Sequence, residues 1–279
     1  MAVAYDATSQ CATSNTTSPV SWSHAGGTPT LALVQVAVDC ATSDASYTLS
    51  VTYGATTMTS LQRWESGGAA QTTGYIEVFY TTSPAAGTQT VTATLGGSGG
   101  TLTGLCGGAL TFTGATAVSA AVHSDSNAAN AATGSLNIPT TSASNMLAAF
   151  VGNGSGSTVF TAGPAVYDYQ VRADTTHACG NSAGGHAAGT GSTVSVTWTQ
   201  TSDFYAAIGL EVQVSSSSAT ATPAVLAVTT TRPAAQVGLL SGPAWAAAAG
   251  TTGTGIGTWA NQGNVTGSPD SAYAVWTVV

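Results

Sequence analysis

A chain of 279 residues in which 43% of side chains are hydrophobic can bury a large core, yet only 5% of it is charged, against about 25% in ordinary globular domains. There is no Lys, only three Arg (Arg63, Arg172 and Arg232), and a net charge of −8. The basic footprint that nucleic acid or an anionic membrane surface needs is therefore missing, and the polar surface must be built from Thr, Ser, Asn, Gln and Gly.

The elements read as strands along most of the chain, because β-branched Thr and Val dominate and helix formers are scarce. Met1–Asp6 lacks a basic stretch followed by an apolar run, so no secretory signal is expected. Leu31 to Val38 is a nearly continuous apolar run, suited to a buried central strand. Thr48 to Tyr53 alternates and stops at Gly54; Tyr75 to Tyr80 follows, and Pro84 with Gly87 marks a turn. Thr90 to Leu95 alternates up to a glycine cluster at 96–100, and Leu110 to Thr113 comes next. The second half continues in the same style without a detectable repeat unit. Ser135 to Ile138 ends at Pro139, and Met146 to Val151 is apolar. Tyr167, Tyr169 and Val171 are expected on one face, and Thr175 to Gly191 reads as a loop. Thr193 to Trp198 and Ile208 to Val214 alternate again.

Many short strands between turn signals predict an all-β, antiparallel, jelly-roll-like β-sandwich over residues 1–214. A Ser/Thr/Pro-rich linker is expected over 215–236. A small C-terminal β segment is expected over 237–279, incomplete as a stand-alone module. It carries Trp245, Trp259 and Trp276 and ends on an alternating stretch, Tyr273 to Val279, that suits pairing with another chain or with the first domain. No window approaches the ~18 apolar residues of a membrane-spanning helix.

Cys11, Cys40, Cys106 and Cys179 are widely spaced, with no pair at zinc-site spacing. They fit one or two disulfides in any of three pairings, or small buried thiols. His177, Cys179, His186 and Asp174 could in principle gather round a metal, but their spacing follows no known pattern, and a polar glycine-rich loop is the simpler reading. His123-Ser124-Asp125 suggests a triad fragment only by coincidence, and 152–156 is glycine-rich without the Lys of a phosphate loop. Asp6, Asp39, Asp44, Asp125 and Asp203 are scattered, unlike a calcium loop. Among the glutamates Glu65, Glu77 and Glu211, the last two sit on strands, where outward solubilising charge is expected. Trp22, Trp64, Trp198, Tyr53 and Tyr80 are expected to fill the core rather than form a sugar platform. No catalytic, cofactor-binding or metal-binding residue is assigned, and an enzyme is not expected.

Certain stretches resemble the β-sandwich modules of actinobacteriophage minor tail and head-decoration proteins and of bacterial surface proteins. They are Ser21-Trp22-Ser23-His24, Leu31 to Val38, Val51 to Gly54 with Met58-Thr59, Pro84 to Thr92, Leu110 to Gly114 and Ala206 to Val212. Ala221 to Thr230 resembles linkers in such phage proteins, and Trp259-Ala260-Asn261 with Gly267 to Ala274 resembles the opening of a second β module. The resemblance implies a non-enzymatic structural protein of a virion surface, extracellular after release. Its expected partners are other virion subunits in a homo-oligomer, with host-surface glycans as a second class, and neither nucleic acid nor membrane insertion. The competing reading is a carbohydrate-binding adhesion module of a secreted bacterial surface protein.

Overall fold

The computed structural model describes residues 2–12, 16–67, 73–126, 129–154, 161–162, 166–172 and 180–214. All lie within a unit spanning Met1–Ser215. The expected linker, the C-terminal segment and Cys179 lie outside the described residues.

Eighteen strands form four antiparallel sheets among the described residues. Sheet A runs β1 (Ala4–Gln10), β9 (Leu102–Thr113), β3 (Leu31–Cys40), β7 (Gly74–Thr81), β6 (Thr59–Glu65). Sheet B runs β2 (Val20–Ala25), β8 (Thr88–Gly97), β4 (Tyr47–Tyr53), β5 (Thr56–Thr57). Sheet C runs β10 (Ala115–Val118), β18 (Tyr205–Val214), β13 (Met146–Asn153), β16 (Asn181–Ala188), β15 (Val166–Arg172), with β11 (Val122–Asp125) also on β18. Sheet D runs β12 (Ala131–Pro139), β17 (Thr193–Asp203), β14 (Thr161–Ala162).

Strand periodicity explains the stacking, because successive side chains leave opposite faces. On β3 every residue is buried. Gln35 bonds to Tyr169 of sheet C. Thr111 of β9, partnered with Ala32 on the other face, bonds to His24 of sheet B. Sheet A is thus covered on both sides. Sheet C is too: Ala148, Phe150, Ile208 and Leu210 join the core shared with A and B. Leu147, Ala149, Val151 and Ala207 join Leu136, Ile138, Val196 and Trp198 of sheet D in a second core. The layers run B, A, C, D, so the expected sandwich architecture is present twice. The continuous apolar run of β3 is what a strand covered on both faces needs.

The two sandwiches share a topology. In the first, β1-β9-β3-β7-β6 lies under β2-β8-β4; in the second, β10/β11-β18-β13-β16-β15 lies under β12-β17-β14. Strands correspond in chain order, with β2 matching β12, β3 matching β13 and β8 matching β17. The sequence shows no repeat unit because what recurs is strand pairing rather than residue identity.

Two further expectations are corrected. Residues 181–188, within the stretch read as a loop, form β16 in the interior of sheet C. Glycine there signals close approach rather than a turn: a Cβ on Gly184 would collide with the rings of Tyr169 and Phe150. Tyr167 and Tyr169 do not share a face, because the register of β15 on β16 shifts between them. Tyr169 enters the core between A and C, while Tyr167 packs on the core between C and D. The turn signals held where conformation demanded glycine: Gly54 and Gly87 have φ of 57° and 73°.

Candidate functional site

The broadest chemical feature of the unit is its pair of outer faces. On sheet B the alternation of β2, β8 and β4 turns Val20, Trp22, Val51, Val91 and Ala93 inward. Ser21, Ser23, Ser50, Thr90 and Thr94 turn outward. These residues lie in rows across the strands: Ser23 beside Thr90, Ser50 beside Thr94, and Ser21 beside Thr92 beside Thr52. Ser21 and Thr92 hydroxyls are 2.9 Å apart. Sheet D repeats the pattern, with Thr133 beside Thr199, Ser135 beside Thr197 and Asn137 beside Ser195. None of these positions carries a charge. A depression of about 580 Å³ in sheet D is lined by Thr133, Gly134, Ser135, Thr197, Trp198, Thr199 and Tyr205. Gly134 is required there, since a Cβ would overlap the Trp198 indole. Hydroxyls spaced by the pleat can each donate and accept, so such a face suits a partner rich in hydroxyl or amide groups.

Behind sheet B lies a polar chain that sequence reasoning missed. Thr111 Oγ1 donates to Asp6 Oδ2 at 2.9 Å and lies 3.1 Å from His24 Nε2. His24 Nδ1 lies 2.8 Å from Ser9 Oγ, which also accepts the Trp22 indole N–H at 3.1 Å. One proton arrangement satisfies all of it: Ser9 to His24, His24 to Thr111, Thr111 to Asp6. Burial lowers the His24 pKa against the raising pull of Asp6, so the ring is neutral near pH 7. The order resembles a nucleophile relay, but Thr111 stands between imidazole and carboxylate and removes the direct charge pairing that stabilises an imidazolium. What the chain does is tie β1, β2 and β9 together across two layers.

The histidines singled out in the sequence sit where sheets A and C meet. His123 stacks on Trp64 with centroids 3.3 Å apart, and Asp125 accepts the Trp64 indole N–H at 3.0 Å. At the opposite edge His186 stacks on Tyr5 at 4.0 Å and bonds to Asp168 at 2.6 Å. Both are aromatic–histidine–aspartate clamps joining the two sandwiches. His177 and Asp174 lie outside the described residues, and among the described residues no group of three or more His, Cys, Asp or Glu could hold a metal.

The reading of Glu77 and Glu211 as outward charge is overturned, since both are buried. The alternation places them on strands whose two faces are covered. Cys11, Cys40 and Cys106 are buried as well. Cys11 Sγ accepts the Gly107 N–H at 3.3 Å, and Cys106 Sγ donates to the Gly180 carbonyl at 3.8 Å. Burial and the nearby Asp44 push the Cys40 thiol up to about 12, which makes it inert near neutral pH. Trp22, Trp198 and Tyr53 are core residues, while Trp64 and Tyr80 are partly covered.

No family model matches the chain, and neither a curated protein nor a solved structure matches it.

Proposed function

We propose that the chain is a non-enzymatic structural protein of a bacteriophage virion surface: a head-decoration, minor tail or fibre component. In this reading its outer sheets contact neighbouring subunits and meet host-surface glycans. The supporting observation is the pair of uncharged hydroxyl faces on B and D. Charged residues are depleted at the centre of protein interfaces because stripping water from an ion is costly. A sheet face that carries none can be buried against a copy or a sugar by exchanging hydrogen bonds alone. The competing adhesion-module reading draws on the depression above Gly134 and Trp198, which could seat a saccharide without any particle.

Gradient-purified particles from the source, probed by mass spectrometry and an antibody to the chain, test the proposal. The chain should band with the particles at a fixed copy number. It should stay through a wash at about 1 M salt, where exposed ion pairs are screened. A chain found only in the soluble or cell-envelope fraction, or stripped by salt, would overturn the reading.

A further inference from the structure

Two carboxyls, Asp44 and Glu65, hold one guanidinium where the connection between β3 and β4 (residues 41–46) folds against β6 and β7, and a third, Glu77, is the cross-strand partner of that arginine, Arg63. Arg63 Nη2 donates to Asp44 Oδ1 at 3.2 Å, and its Nε donates to Glu65 Oε1 at 2.8 Å. Its Nη1 donates to the Tyr47 carbonyl at 3.1 Å, and its guanidinium carbon sits 3.5 Å from the Tyr75 ring centroid. Glu77 on β7 accepts the Ser60 hydroxyl at 2.5 Å. The second oxygens of the pair, Asp44 Oδ2 and Glu65 Oε2, are both buried and have no hydrogen-bond partner as acceptors. The Asp44 side chain is only 2% exposed.

One Arg cannot neutralise three carboxylates, and two buried acceptor oxygens without a donor are each costly, although the Glu65 side chain as a whole is 29% exposed. One proton resolves both difficulties, because a protonated carboxyl can donate to its neighbour. We propose that Asp44 and Glu65 share a single proton and that this proton is a pH-dependent latch, holding the β3–β4 connection onto sheet A. Burial first, then the Glu65 charge and hydrogen bond, push the Asp44 carboxyl up to about 7 against the pull of Arg63.

Among the described residues the other titratable neighbours are Cys40, Tyr47, Tyr75, Glu77 and Asp39. Cys40 is pushed up to about 12, and burial raises Tyr47 and Tyr75, so all three stay neutral. Burial raises Glu77 too, partly offset by the Ser60 hydroxyl. Asp39 accepts the Thr103 hydroxyl at 3.1 Å on the neighbouring strand. The latched connection also holds a second loop. Ala41 N–H donates to Thr101 O at 2.8 Å, Gly100 N–H donates to Ser43 O at 2.5 Å, and the Tyr47 hydroxyl donates to Gly100 O. Losing the proton therefore loosens both connections at this end of the first sandwich.

The raised carboxyl sets the sign. Its contribution is complete below the unfolded value of 3.8 and is lost as pH rises through about 7. Thermal unfolding of the full chain between about pH 5 and pH 8 tests this, with Asp44→Asn and Glu77→Gln alongside the wild type. The wild-type midpoint should fall by roughly 5 °C. Asp44→Asn, whose amide donates to Glu65 without titrating, should lose that fall and at the upper pH equal or exceed the wild type. Glu77→Gln should keep the fall. An Asp44→Asn variant with the wild-type slope overturns the proposal. So does a slope that vanishes in Glu77→Gln, or one abolished by millimolar calcium, which would make the shared species a cation. The wild type also decides by itself. Its infrared spectrum should keep a protonated-carboxyl band near pH 6 that disappears by about pH 8, and absence of that band near pH 6 overturns the proposal.

Discussion

Replacing Tyr169 with alanine should destabilise the Met1–Ser215 unit by about 3–5 kcal/mol, the cost of emptying a large aromatic site in a packed core. Tyr169 is 4% exposed and stands between the two sandwiches. Its ring lies where Cβ atoms on Gly108 of sheet A and Gly184 of sheet C would be, so two opposed strands have given up side chains to admit it. Its hydroxyl donates to Gln35 Oε1 at 2.7 Å, and the Ser182 hydroxyl donates to the same oxygen. Tyr169→Phe removes one bond, leaves Gln35 with Ser182, and should cost only about 1 kcal/mol. Denaturant unfolding of the two variants separates the effects. If Phe costs as much as Ala, the polar node rather than the packed ring joins the layers.

Glu211→Ala should cost roughly 2–3 kcal/mol near pH 7, since the buried Asn145 amide loses its acceptor at ~1–3 kcal/mol and the more exposed Thr141 and Gln213 donors, which water can reach, add less. The carboxylate accepts the Thr141 N–H at 2.5 Å, Asn145 Nδ2 at 2.8 Å and Gln213 Nε2 at 2.8 Å, with the Thr141 hydroxyl at 3.1 Å. Burial alone would raise its pKa, but bonds from Asn145, Gln213 and Thr141 prevail and hold it below the usual glutamate value. A depressed carboxyl contributes above its unfolded value of 4.5 and loses that contribution as pH falls through the folded value. This is the opposite sign to the Asp44 latch. The difference between wild type and Glu211→Ala in denaturant unfolding should therefore shrink below about pH 4. A difference that is small at pH 7, or constant down to pH 3, contradicts this role.

Strand existence was legible from alternation, as in β4, β8 and β17, and the burial of β3 from its unbroken apolar run. The number of layers was not. A strand covered on both faces loses the alternation that marks a surface, and β16 (Asn-Ser-Ala-Gly-Gly-His-Ala-Ala) looks like a loop until Tyr169 is seen against Gly184. The same blindness misplaced Glu77 and Glu211: alternation puts them on one side of a strand but does not tell whether another sheet lies there. The hydroxyl faces were half-visible, as the Thr and Ser of the alternating strands. Their assembly into rows depends on the pairing of β2 with β8 and β12 with β17, a long-range contact that periodicity does not encode. His24, Ser9, Thr111 and Asp6 are 105 residues apart at their extremes, and no local signal joins them.

Thr90→Lys on sheet B and Thr197→Lys on sheet D provide the most direct measurement of the central claim. Both side chains are exposed on the outer faces, so each lysine can be solvated without disturbing the cores. Circular dichroism and the unfolding midpoint should match the wild type. Incorporation of each variant into particles, measured by quantitative mass spectrometry against a major particle protein, should fall at least ~10-fold for the face that is buried on assembly, the factor that ~1.4 kcal/mol of charge desolvation corresponds to. Wild-type incorporation of both variants, singly and together, would show that neither hydroxyl face makes the contacts assigned to it.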